Sequence, residues 1–340
     1  GEALGLIGES GCGKTTLGRC ILRLIEPTDG GGTFYGRDLL NLDDGEMRRT
    51  RKDVQMIFQN PYSALNPHMT VRATLAEAVS LGGSQTRHRN ESFSATEPEV
   101  EALPSVSMWD RLVDRVYRMI GREFKKVRAY EERVEVRIQE LAASVNLQIG
   151  KLDEYPSVLS GGERRRVGIA RVLAVRPKFI VADEPLASLD ASIRLQILTL
   201  LANLKSELGL TYLLISHDVG AVRQLCERIA VMYLGDIIEI IECRDARTDR
   251  CLHPYTFRLL SSSSYLSLEE NGTGIGIDDT EADVVEAGEM GCSYRVRCTR
   301  YRGEGCPSIC ESTKPTLVNF SSIDGGEHMV ACHFPLDVTN

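Results

Sequence analysis

Nine residues near the start, Gly8-Glu9-Ser10-Gly11-Cys12-Gly13-Lys14-Thr15-Thr16, constrain this chain more than any other stretch. Before them, Ala3-Leu4-Gly5-Leu6-Ile7 reads as a buried strand, and an apolar-periodic helix to about Glu26 follows. A strand, a glycine-rich loop and a helix in that order make a phosphate cradle. The glycines let backbone N–H groups turn toward phosphate oxygens, and the helix N-terminus adds its partial positive charge. Lys14 is placed to reach the outer phosphates and the Thr15 hydroxyl to bind Mg²⁺. Gly8, Ser10, Gly11, Gly13 and Thr16 complete the candidate nucleotide contacts.

The rest of the chain fits an α/β domain around that loop. Short strands are predicted at Thr33–Tyr35 and Val54–Phe58, and a loop from Asn60 to Pro67. From Ser160 helix and strand alternate: strands at Lys178–Ala182, Thr211–Ile215 and Arg228–Tyr233, helices at Ala191–Leu208 and Asp218–Cys226. Such alternation predicts a parallel sheet covered on both faces. The strand Phe179-Ile180-Val181-Ala182 delivers Asp183 and Glu184 at its C-terminal end, where open α/β sheets bind ligands. Asp183 suits the Mg²⁺ shell, and Glu184 suits a general base that polarises water.

Composition narrows the class further. With 340 residues the chain is long enough for two or three units. A net charge of −8 argues against nucleic acid as a partner held by bulk electrostatics. No apolar run approaches the ~18 residues of a membrane span. No basic and apolar leader opens the sequence, so a reducing compartment is expected for its ten cysteines. The charge is uneven: residues 262–340 hold 13 acidic and 5 basic side chains, leaving 35 of each before them.

Further motifs carry a resemblance. Leu159-Ser160-Gly161-Gly162-Glu163 resembles the signature motif of ABC-type ATPases, and it precedes the Asp183-Glu184 strand as in that family. Gln59 is similar to the Q-loop glutamine, Ser188-Leu189-Asp190 to the D-loop, and His217 to the switch histidine. The resemblance covers about residues 1–240. It implies a P-loop NTPase fold with a helical signature subdomain at about 68–175, inside an ATPase domain of residues 1–245. It also implies that two such domains stack head to tail, with Ser160, Gly161 and Gly162 touching ATP held by the partner. Gln59 would sense Mg²⁺ and the γ-phosphate, and Asp190 would line the seam. Glu163 and Arg165 stand where glutamines are commoner in the family. The adenine-stacking aromatic of the family lies upstream of the loop, so residues are expected to precede Gly1.

Phe58-Gln59-Asn60-Pro61-Tyr62-Ser63-Ala64-Leu65-Asn66-Pro67 resembles the extended Q-loop of oligopeptide and dipeptide importer ATPases. His253-Pro254-Tyr255-Thr256, followed by Leu259-Leu260, is similar to the C-terminal motif of that subfamily, which includes nickel importers. The resemblance implies ATP hydrolysis at the cytoplasmic face of the membrane. The partners implied are a second ATPase subunit, two transmembrane permease subunits and an extracytoplasmic substrate-binding protein. Uptake of nickel or another small solute is the alternative; a non-transport ABC ATPase is the alternative of another class.

Two segments stand apart. Residues 82–135 read as an insertion in the helical subdomain: a polar, loop-like 82–107, then an apolar stripe from Trp109 to Val145 at helical spacing. Residues 246–340 form a C-terminal extension, within which a Gly- and Asp-rich segment, Glu269–Asp283, links to the cysteine tail. Its Cys292, Cys298, Cys310 and Cys332 resemble the cysteine region of the peptide-importer subfamily, some members of which carry an iron–sulfur cluster. Cys306 is the alternative third ligand. Four thiolates suit a [4Fe–4S] cluster or a tetrahedral zinc, which His333 could join. A group of reduced thiols without metal is the third reading.

Overall fold

The computed structural model describes residues 1–60, 65–82, 128–262, 290–303, 305, 307–320 and 327–336. The expectations for Pro61–Ala64, for most of the 82–135 insertion, for the Glu269–Asp283 linker and for Cys306 lie outside these residues. The chain divides into two compact units, residues 1–60 with 177–340, and residues 61–176.

The first unit is built on an eight-stranded sheet among the described residues. Its strands are β1 (Ala3–Ile7), β4 (Val54–Ile57), β5 (Phe179–Asp183), β6 (Thr211–Ile215), β7 (Arg228–Tyr233), β8 (Asp236–Glu242), β9 (Val318–Asn319) and β10 (Met329–Val330), in the order β4-β5-β6-β1-β7-β8-β10-β9. The run from β4 to β7 is parallel. Near-continuous apolar runs such as Ile180-Val181-Ala182 and Leu213-Leu214-Ile215 are buried, as expected for strands covered on both faces. Central β1 packs so closely that a Cβ on Gly5 would lie 2.2 Å from Val222 Cγ1. A small hairpin, β2 (Thr33–Phe34) with β3 (Arg37–Asp38), stands apart from the main sheet.

Two features depart from the sequence expectation. Helix α1 (Lys14–Ile21) stops short of Glu26. Arg23 turns left-handed at φ 47, and its guanidinium donates to the Leu39 and Leu42 carbonyls, which ends the helical path. The sheet is also mixed: β8 returns antiparallel on β7 through a two-residue turn at Leu234-Gly235, both at positive φ. The C-terminal strand β10 then adds antiparallel to β8, which brings the tail into the sheet of the phosphate loop.

The remaining helices of this unit are α2 (Asp44–Asp53), α6 (Ala191–Leu208), α7 (Val219–Leu225), α8 (Pro254–Ser262), α9 (Thr299–Gly303) and α10 (Ser308–Ser312). Asp43 and Glu46 close a reciprocal capping box on α2, a start signal present in the sequence as Asp-x-x-Glu. The second unit holds α3 (Val71–Gly82), α4 (residues 128–144) and α5 (Gly161–Leu173). Leu75, Ile138, Leu141, Val167 and Ile169 are buried there. Ile138, Leu141 and Val145 of the predicted apolar stripe therefore face a core. No helix among the described residues is long and apolar enough to cross a membrane.

Candidate active site

Parallel register brings the C-terminal ends of four strands to one edge. Ile57 lies beside Ala182, Asp183 beside Ile215, and Ile215 beside Leu6. The residues that follow these ends are Gln59, Glu184, His217 and Gly8, so widely separated positions meet at one rim.

The loop after β1 is shaped by close approach. A Cβ on Gly8 would lie 2.3 Å from the Met232 carbonyl oxygen and 2.9 Å from Cys12 Sγ. Gly13 caps α1 at φ 105, in the left-handed region that favours glycine. Lys14 is buried, and its Nζ donates to the carbonyls of Gly8 and Glu9, each at 2.8 Å. These bonds hold the ammonium inside the loop. Ser10, Gly11 and Thr16 are exposed.

Thr15 Oγ1 donates to Asp183 Oδ1 at 2.9 Å. Asp183 is 2% exposed, so its carboxylate is fixed by the end of β5 and by this hydroxyl. A hydroxyl and a carboxylate at this spacing are hard oxygen donors that fit Mg²⁺ beside phosphates. Glu184 adopts φ 46, an uncommon conformation for a residue with a Cβ. Its N–H donates to the Ile215 carbonyl at 2.9 Å, and its carboxylate accepts from His217 Nδ1 at 3.0 Å. The strained turn thus aims Glu184 at His217. Gln59 and Asp190 are exposed; Asp190 Oδ1 accepts from Ile193 N–H and caps α6.

In the second unit, Ser160 and Glu163 form a reciprocal capping box at the start of α5. Glu163 N–H donates to Ser160 Oγ at 3.2 Å, and Ser160 N–H donates to the Glu163 carboxylate at 2.8 Å. The backbone bond to Ser160 holds the Glu163 carboxyl below its usual range. Glutamate at this position is therefore a sound helix start, with the Ser160 hydroxyl as the acceptor in the cap.

The sequence did not expose the surroundings of the loop. Glu9 N–H donates to Tyr255 Oη at 2.9 Å. The Glu9 carboxylate accepts two bonds from Arg297, at 2.9 and 3.2 Å. This partnership with Glu9 raises the Arg297 pKa. Only the His-Pro-Tyr-Thr segment gave any signal for this neighbourhood.

The tail cysteines gather as well. Cys292, Cys298, Cys310 and Cys332 line one cavity of about 20 Å³, together with Tyr294, Arg300 and His333 among others. Burial raises the Cys292, Cys310 and Cys332 thiols, Cys332 to about 12, and neighbouring cysteines push the same way. His333 Nε2 bonds the Thr313 carbonyl at 2.9 Å, so only Nδ1 is left for a metal. Among the described residues, no three or more His, Cys, Asp or Glu side chains are drawn together tightly enough to hold a metal ion.

Loop, paired carboxylates and histidine on one sheet edge define the class: a P-loop nucleoside triphosphatase. The profile of the ABC transporter family matches residues 1–187. The chain is 34% identical over 343 residues to the oligopeptide transport ATP-binding protein AppF of Bacillus subtilis, covering 98% of this chain and 85% of that one. It is 38% identical over 263 residues to OppF of the same organism, another oligopeptide transport ATP-binding protein, covering 77% and 72%. Among solved structures, the dimeric ATP-binding cassette MJ0796 bound to ADP and phosphate is similar at a TM-score of 0.52 and 26% identity, covering 72% of this chain and 86% of that one. The chain belongs to the ABC transporter ATP-binding family, and its chemistry is ATP hydrolysis.

Proposed function

We propose that this chain is the ATP-hydrolysing subunit of an importer for oligopeptides or dipeptides, acting at the cytoplasmic face of the membrane. The observation that carries the reading is the Thr15–Asp183 and Glu184–His217 pairing beside Lys14. AppF-like similarity along nearly the whole chain supports the peptide assignment. Lys14 and the loop amides bind the β- and γ-phosphates. Thr15 and Asp183, with Gln59, would hold Mg²⁺, and the ion would supply charge neutralisation at the phosphate oxygens. Glu184 accepts a proton from the attacking water, and His217 orients its carboxylate. The helix start at Ser160, Gly161 and Gly162 serves ATP on a second ATPase subunit, with Asp190 at the seam. Two permease subunits and an extracytoplasmic binding protein complete the assembly.

Reconstitution with two permease subunits and a binding protein tests the reading. Peptide-stimulated ATP hydrolysis is expected; stimulation by nickel alone, or by neither, overturns the peptide assignment.

A second reading concerns the tail. Four thiols around one cavity support a [4Fe–4S] cluster on Cys292, Cys298, Cys310 and Cys332, with Cys306 as alternative third ligand. The cluster would cross-link the extension through these four cysteines. Iron and sulfide analysis of anaerobically purified protein tests this. Stoichiometric zinc, or no metal, overturns it.

A further inference from the structure

We propose that the C-terminal module completes the triphosphate site: Arg297 and Tyr255 are positioning residues that hold the first turn of the phosphate loop and cancel the charge of Glu9. Three parts of Glu9 are engaged. Its carbonyl holds the Lys14 ammonium at 2.8 Å. Its N–H donates to Tyr255 Oη at 2.9 Å, and its carboxylate takes both bonds of the Arg297 fork.

The electrostatics give the pairing a purpose. Glu9 is next to Gly8 in a loop that receives a polyanion, so a bare carboxylate there opposes binding. With an effective dielectric between those of water and the protein interior, one such charge beside a bound polyanion changes affinity by about tenfold. The Glu9 and Arg297 side chains are 41% and 25% exposed, so the pair adds little to stability. Its local charge cancellation persists all the same. Arginine suits the task because its planar fork fixes both carboxylate oxygens, whereas lysine offers only a point charge.

The clamp is rigid because of what stands behind it. Tyr255 is 1% exposed and packs on Tyr233 and Tyr294 at ring distances of 4.7 and 5.5 Å. Tyr294 also meets Tyr233 edge-on at 5.1 Å. Arg297 closes the short turn Arg295–Arg297, between Cys292 and Cys298. One segment therefore carries two cavity thiols and the clamp. The inference rests on residues 8–16 holding the triphosphate, and not on what fills the cysteine cavity.

Calorimetric titration of the full chain with MgATP tests it, with thermal unfolding measured alongside. Arg297→Gln is expected to weaken MgATP binding about tenfold, with an unchanged melting temperature. The double variant Glu9→Gln/Arg297→Gln is expected to recover to within about threefold of the parent, because no charge is left to cancel. Arg297→Lys, which keeps the charge, is expected to stay within about threefold as well. An unchanged affinity in Arg297→Gln overturns the proposal. So does a double variant as weak as the single one, which would make Arg297 a fold element only. Lys14→Ala serves as the separate control. If it keeps MgATP affinity, the phosphate-loop reading fails; if it loses affinity while Arg297→Gln does not, only the clamp fails.

Discussion

Acidification is expected to destabilise the unit that holds the phosphate loop, through His253. Its side chain is 1% exposed, its Nδ1 accepts the Tyr255 N–H at 3.0 Å, and its ring lies 5.5 Å from that of Tyr294. Burial lowers its pKa from 6.5 to about 4, only partly opposed by the charge of Glu239. Above the ordinary value the imidazole is neutral in folded and unfolded chains alike, so it contributes nothing to the pH dependence. Below it, the unfolded chain takes up a proton that the folded chain refuses. Stability is therefore lost as pH falls from 6.5 toward 4, and the loss levels off below that. The linkage amounts to about 2 kcal/mol at about pH 5, and about 3 kcal/mol at the limit. The assay is urea unfolding of the parent and of His253→Asn, whose amide oxygen replaces Nδ1 as the acceptor. The stability difference between the two should shrink by about 2 kcal/mol from about pH 8 to about pH 5. A difference that stays flat within about 0.5 kcal/mol refutes the reasoning.

Glu184→Gln should slow ATP turnover by about 10²–10⁴-fold while MgATP still binds; near-parental turnover would assign the base elsewhere. In Gly8→Ala the new Cβ must displace the Met232 carbonyl, so MgATP affinity should fall by more than about a hundredfold, checked by calorimetry. Glu239 is fully buried and accepts from Leu252 N–H at 2.7 Å, His253 N–H at 3.1 Å and His328 Nε2 at 2.6 Å. Glu239→Ala strands all three donors and should cost about 3–5 kcal/mol in urea unfolding; a loss under about 1 kcal/mol would count against it.

The residues of the candidate site were legible because each follows a local rule. Gly8 to Thr16 is a spacing motif, Asp183-Glu184 ends an apolar strand, and His217 follows another. What stayed hidden has no local signature. The Glu9–Arg297 pair joins residues 288 apart, and the Glu239–His328 pair joins residues 89 apart. Strand β8 was readable in principle: Ile237-Ile238 and Ile240-Ile241 follow a glycine turn. An expectation of parallel alternation hid it. The end of α1 was not readable, because it depends on carbonyls at Leu39 and Leu42 that only the folded chain offers to Arg23.

The position of β1 sets a timetable for synthesis. It lies between β6 and β7, with Leu6 beside Ile215 and Ile7 beside Val231. β1 thus waits for more than two hundred further residues before either of these two neighbours has been made. At ribosomal speeds of ~5–20 residues per second, that is roughly ten to forty seconds. For that interval its apolar side chains need shelter from the ribosome or a chaperone. The loop hanging from it meets Arg297 later still, because that partner lies 288 residues beyond Glu9.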